Sequence, residues 1–352
     1  MNSSRISIGE LADGPVIGGG DLFAHGAAVT NPVAVVDLDG PVRDRDQVVR
    51  AASRASASDI ILVGLTHRPV DDVLDPLVTA LDVTYSPRAD HPAVVPADDV
   101  DGVAASFLQA VGRCPNASLV AAQVVRAAEP LDPIPAIDVE SLAYSTLQGG
   151  REFGRWLHHR RAENRPLPPA VTDPVLIDRI DDTLHITLNR PERRNAYGTA
   201  LRDALVDALQ IAITDDSVER VVLDGAGPSF CAGGDLDEFG HTPDATTAHL
   251  IRTRGGAGRL VAALADRIEV RLHGHCVGAG IEIPAFAGRV IAGPDTRLRL
   301  PEVTMGLIPG AGGTVSVPRR IGRWRALYLF VTGAEIGAAQ ALSWGLIDEI
   351  AN

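Results

Sequence analysis

Cysteine and aromatic residues are scarce in this chain, and long apolar runs are missing. The 352 residues include three cysteines, Cys114, Cys231 and Cys276. An odd, scattered set with no Cys-x-x-Cys and no Cys/His cluster argues against a disulfide scaffold or a zinc site and suits a reducing cytosol. No stretch reaches the roughly 20 uninterrupted apolar residues of a membrane span. The first residues, MNSSRISIGELADG, lack the cationic start and apolar run of a signal peptide. The expected location is therefore cytoplasmic, away from membranes. Basic residues are in the minority: the formal net charge is −13. With no basic stripe to reverse that field locally, a nucleic-acid partner is not expected, and an acidic ligand would need its own basic pocket. What is present, 45% hydrophobic and 22% charged residues with 35 Gly and 24 Pro, describes a globular protein of a length that suits two domains.

Two blocks are joined by a polar, proline-rich segment, Arg160 to Pro174 (RRAENRPLPPAVTDP). In the first block, Val33–Leu38, Ile60–Leu65 and Leu119–Val125 are apolar runs of strand length. Asp44–Ala55, Val100–Val111 and Ser141–His159 have helical spacing. In the second, Leu184–Leu188, Val218–Asp224, Ile268–Leu272 and Val290–Ala292 read as strands, with a further segment around Leu298. Thr199–Thr214, Ala245–Ala265 and a short segment from Gly278 read as helices. Alternation of this kind gives an α/β fold with largely parallel strands. The two blocks repeat one order of elements about 150 residues apart, which fits either a diverged internal duplication or two unrelated α/β halves. The expected domains are 1–160, a linker at 161–174, and 175–352.

Four motifs occur in order in the second block: LNRPERRNAY (188–197), PSFCAGGDLDEF (228–239), HGHCVGAGIEI (273–283) and LPEVTMGLIPGAGGT (300–314). Taken singly, each glycine run is a tight turn. Together, at this spacing, they resemble the crotonase (enoyl-CoA hydratase/isomerase) superfamily. The resemblance implies a crotonase-like ββα superhelix in the C-terminal half and an acyl-CoA thioester as substrate, with no metal or redox cofactor. Small residues let backbone N–H groups approach a ligand, and the first N–H groups of a helix have no internal partner. Two such donors aimed at one oxygen make an oxyanion hole. By resemblance they are those of Gly234 and Ala279, where Ala279 replaces the usual middle glycine of a triplet.

The same resemblance makes Glu282 and Glu302 the catalytic pair, Glu282 activating water for attack at Cβ and Glu302 exchanging the proton at Cα. Both being present favours hydration over isomerisation; a CoA-ester-binding subunit of a larger complex is the reading from a different class. Coenzyme A is placed against Asn195 and Ala196 and against the loop of Ala232, Gly233, Asp235 and Leu236. Arg193 and Arg194 are candidates for its phosphates because guanidinium forks match phosphate oxygens. Read from its chemistry, Asp235 fixes its loop. His273 and His275, two apart near a strand, face opposite ways and make no metal pair. Cys231 and Cys276, small apolar residues without an evident base, are expected to be inert.

Members of the superfamily carry several helices after the segment matching Trp344–Glu349, where they help to close the site and build trimers; here the sequence ends at Asn352. The first block also resembles a crotonase without its motifs, with Asp39-Gly40-Pro41 and His67-Arg68-Pro69 in their place. It is expected to be a smaller, diverged, non-catalytic α/β domain that packs against the catalytic half or mediates a homo-oligomer.

Overall fold

The computed structural model describes residues 5–14, 22, 23, 28–89, 91–161 and 172–351. Most of the expected linker lies outside these residues. In the first half, β1 (Arg5–Ser7), α1 (Ile8–Asp13), β2 (Val33–Asp37), α2 (Arg45–Ser56), β3 (Ile61–Leu65), α3 (Asp75–Ala80), β4 (Val83–Ser86) and β5 (Val94–Pro96) form a five-stranded parallel sheet whose spatial order is the chain order. Four helices follow: α4 (Val100–Arg113), α5 (Pro115–Ala128), α6 (Pro133–Gln148) and α7 (Arg151–Arg161).

The sheet is covered on both faces, which is why β2 and β3 read as unbroken apolar runs. Ala34, Val36 and Leu62 pack with α1–α3. Val33, Val35, Ile61 and Val63 face the other way, into a core that continues without a break through the second half.

The second half opens with a hairpin of β6 (Val175–Ile180) and β7 (Thr183–Leu188). It continues through α8 (Thr199–Thr214), β8 (Arg220–Gly225), α9 (Ala245–Arg254), α10 (Ala257–Ala263), β9 (Ile268–Leu272), β10 (His275–Val277), α11 (Ala279–Glu282), β11 (Arg289–Ala292), β12 (Arg297–Arg299), α12 (Gly313–Thr332), β13 (Glu335–Gly337), α13 (Ala338–Trp344) and β14 (Glu349–Ile350). One sheet has the order β14-β11-β9-β8-β7-β6, antiparallel only at the hairpin; a smaller one has the order β10-β12-β13. Among the described residues the first half has neither a hairpin of this kind nor a second sheet, so its likeness to the second half is confined to stacked parallel strand–helix units. No described helix is long and apolar enough to cross a membrane.

Three sequence expectations are corrected. Leu119–Val125 is not a strand; it lies inside α5. Pro115 opens that helix, and the Glu152 side chain of α7 accepts from the Asn116 and Ala117 N–H groups (2.9 and 3.0 Å), capping its first turn. A continuous apolar run carries no period, so burial on two sides of a helix looks like a buried strand. The single helix expected over Ser141–His159 is two, broken at Gly149-Gly150. The one expected over Ala245–Ala265 is likewise two, broken at Gly255-Gly256.

Helix α12 joins the halves. It packs against α4, α5, α6, β4 and β5 of the first half and against α11 of the second. At its centre is Asp82, buried at the start of β4. Asp82 accepts from Leu62 N–H (2.8 Å) and the Arg126 guanidinium of α5 (2.8 and 2.5 Å), with Arg323 of α12 at 3.7 Å. Removing one member of a buried pair leaves the other charge unmatched, at a cost of about 3–5 kcal/mol. Asp82→Ala should therefore lower the unfolding free energy by about that amount in urea titrations, and the loss should appear in fluorescence from the second half as well as in secondary structure.

Candidate active site

Strand β10 runs into Gly278, whose backbone (φ 50°, ψ −119°) turns the chain into α11. A side chain there would be strained, and its Cβ would lie 2.4 Å from Glu302 Oε1 and 3.6 Å from Glu282 Oε1. The glycine is therefore the floor on which two carboxylates converge, one from α11 and one from the 3₁₀ turn Glu302–Met305. Both line one cavity of about 220 Å³ with Gly234, Asp235 and Ala279. The N–H groups of Gly234 and Ala279 donate to no described residue.

The two carboxylates differ in their surroundings. Glu282 Oε2 accepts from the N–H groups of Ala311 (2.6 Å) and Gly313 (3.0 Å) at the start of α12. Glu302 Oε2 is buried without a hydrogen-bond partner among the described residues. Burial pushes the Glu302 carboxyl up to about 8, with the charge of a third acid, Glu140, adding to the effect. Glu282 is also raised well above the ordinary carboxylate range, first by burial and then by Glu302 and Glu140, while the two amides oppose the rise.

Glu140 comes from α6 of the first half, and nothing local in the sequence marks it. It accepts from Gly312 N–H (2.8 Å), Thr314 N–H (2.8 Å) and Thr314 Oγ1–H (2.7 Å). Four successive amides at one helix start are thus divided between Glu282 and Glu140, each acid taking alternate donors. The first half supplies more of the wall: Ile137, Ser141, Tyr144 and Gln148 from α6 and Phe153 from α7. Helix α7 also clamps the loop after Gly234. Trp156 stacks on Phe153 and meets Phe239, both at 5.8 Å between ring centroids, and Arg160 donates to Leu236 O (3.0 Å) and Asp237 (2.5 Å). Its close seating depends on Gly306 (φ 78°), where a Cβ would lie 2.5 Å from Phe153 N.

The other expected site residues fall around the cavity mouth. Asp235 is fully buried and holds its loop, accepting from Arg190 (3.4 Å), Arg193 (2.6 Å) and Asp237 N–H (3.3 Å). One terminal nitrogen of Arg193, Nη2, donates to both Asp235 and Asp237 (2.7 Å), which ties the side chain to this loop. Arg194 is exposed and in left-handed conformation (φ 49°), with no side-chain partner among the described residues. The Asn195 amide is consumed inside the fold: it donates to Ala226 O, Ser229 O and Phe230 O and accepts from Arg190 N–H. Ala196, Ala232, Gly233 and Leu236 flank the cavity without lining it. Cys231 and Cys276 are buried neighbours in adjoining segments, and burial pushes the Cys231 thiol up to about 12, far from thiolate chemistry at neutral pH.

The sequence profile of the enoyl-CoA hydratase/isomerase family matches residues 181–352. The 2,3-dehydroadipyl-CoA hydratase of Escherichia coli K12 is 36% identical over 176 residues, covering 50% of this chain and 68% of that protein. An enoyl-CoA isomerase/hydratase of Mycosarcoma maydis is 34% identical over 191 residues, covering 52% and 70%. The 1,2-epoxyphenylacetyl-CoA isomerase of Escherichia coli K12 is 34% identical over 170 residues, covering 47% and 64%. The solved enoyl-CoA hydratase of Mycobacterium smegmatis shares 30% identity at a TM-score of 0.47, over 51% of this chain and 70% of that one. The chain belongs to the enoyl-CoA hydratase/isomerase (crotonase) family through its C-terminal half. It is an enzyme of the hydratase or isomerase type.

Glu140→Gln replaces one acceptor oxygen by an amide NH₂ that faces an N–H group. It should destabilise the protein by about 1–3 kcal/mol in urea unfolding. It also removes a negative charge, so the Glu282 and Glu302 carboxyls, followed by carbon-13 NMR, should titrate at lower pH than in the parent.

Proposed function

We propose that this chain is an enoyl-CoA hydratase, adding water across the double bond of a 2-enoyl-CoA thioester. The observation that carries the reading is the unequal glutamate pair over Gly278. One acid, Glu282, is anchored by two amides, and the other, Glu302, has a buried oxygen with no hydrogen-bond partner among the described residues.

In this reading the thioester oxygen accepts from Gly234 N–H and Ala279 N–H. Donors aimed at the developing enolate oxygen each contribute on the order of 3 kcal/mol to the transition state. A water between the carboxylates gives a proton to ionised Glu282 while its oxygen bonds to Cβ. The electron pair of the double bond moves to the enolate, and Glu302 then delivers its proton to Cα. The raised Glu302 carboxyl suits this task because it still holds a proton near pH 7. Glu282 is assigned the base's role because the Ala311 and Gly313 amides fix its carboxylate and oppose the rise that burial and the neighbouring acids impose. The new C–O bond comes from water, the chain's carboxyls move the protons and its amides hold the enolate, with no net change of oxidation state, so no metal or redox cofactor is assigned. Coenzyme A enters as part of the substrate, with exposed Arg194 the open candidate for its phosphates.

Glu282→Gln and Glu302→Gln should each reduce hydration of a crotonyl-CoA-type substrate by about 10²–10⁴-fold with the fold retained, measured as gain of water by mass spectrometry. Full activity in either variant would sink the reading, and double-bond migration without added water would replace it with isomerisation. The pH profile has a definite sign. Hydration needs Glu302 protonated, so kcat should fall as pH rises through about 8.

A further inference from the structure

The cavity wall holds three arginines, and one stands apart. Arg202 is paired with Asp203 (2.7 Å) and Arg259 with Asp138 (3.2 Å). Arg252, on α9, has no carboxylate partner among the described residues. Its Nε donates to Ser141 Oγ (3.0 Å), and one terminal nitrogen donates to Gln148 Oε1 (3.3 Å). The other donates to Ser141 O (3.3 Å) and Ser145 Oγ. The guanidinium lies over the Tyr144 ring, 4.4 Å from its centroid, and His249 Nδ1 is 3.0 Å from the same Ser141 Oγ. Glu140 is the nearest acid to influence it electrostatically, but both Glu140 oxygens are occupied by the start of α12.

These neutral oxygens and the ring hold the guanidinium in place without neutralising it. A fixed, oriented and partly buried positive charge with no carboxylate partner among the described residues is costly unless an anion arrives. The neighbouring wall is apolar: Ile137, Phe153, Phe239 and Ile251 line the same space. A chain that was alkyl to its end would fill that apolar stretch and then strip water from Arg252 with nothing to offer in return.

We propose that Arg252 is a specificity determinant for the acyl tail and that the substrate class is an acyl-CoA whose chain ends in a carboxylate. The inference rests on the CoA-thioester reading above and extends it from the reacting end of the chain to the far end. Tyr144 and Gln148 flank the same terminus, and the guanidinium donor left over from the serine and glutamine contacts meets the carboxylate.

The test uses the full chain and non-reacting saturated thioesters, so that binding is read apart from chemistry. Dicarboxylic acyl-CoAs of four to eight carbons are compared with monocarboxylic acyl-CoAs of equal length by calorimetry, and hydration of crotonyl-CoA is assayed beside them. A charge-assisted contact predicts that the best dicarboxylic thioester binds roughly ten- to hundredfold more tightly than its match. Arg252→Gln should collapse that ratio toward one, and Arg252→Lys, which keeps the charge but loses the fork, should retain part of it. Equal or better binding of the monocarboxylic series overturns the proposal, as does an Arg252→Gln protein, folded by circular dichroism, that keeps the full preference. Equal binding with normal hydration removes the tail assignment alone. A retained preference without hydration supports the tail assignment and removes the hydratase reading. Binding of neither series overturns both.

Discussion

The start of α12 is the point on which the site depends. The N–H groups of Ala311, Gly312, Gly313 and Thr314 have no partners within their helix, and two acids from different parts of the chain share them. Glu282 gains a fixed direction, and Glu140 gains three hydrogen-bond donors. Each is tolerable because the other keeps the loop rigid. The positions of these two acids are therefore set by a helix terminus that both halves of the protein hold in place.

This arrangement explains the spread of proton affinities in the cavity. Three acids buried around one cavity repel one another and are shielded from bulk water, so ionising all of them is unfavourable. Backbone donors relieve Glu282 and Glu140. Glu302 receives none on its buried Oε2 among the described residues, and burial raises its carboxyl. Two chemically identical side chains thus sit in different surroundings because of which amides reach them.

The sequence disclosed the part of this site built from short segments. Gly234, Ala279, Glu282 and Glu302 lie in motifs whose glycines and spacing announce close backbone approach, and all four line the cavity. Glu140 could not be read in the same way. It sits mid-helix in a run whose neighbours look ordinary, and its partners are 172 and 174 residues away. Arg193 shows what a basic residue beside a glycine loop does not disclose: one of its guanidinium nitrogens is already bound to buried Asp235 and to Asp237. In the first half, β2 and β3 were legible because buried parallel strands are uniformly apolar. The run at Leu119–Val125 misled for the same reason, since a helix enclosed on both sides is uniformly apolar too.

The bonds from Glu140 to α12 close a loop of more than 170 residues, so they order slowly compared with the local strand–helix units on either side. The first half leaves the ribosome before the helix it must meet exists. It therefore carries α6, with an acid on a face that has no partner yet, through a long interval of synthesis. During that interval the exposed inner faces of α5–α7 are the vulnerable surface of the nascent chain, the segment a chaperone would have most reason to cover.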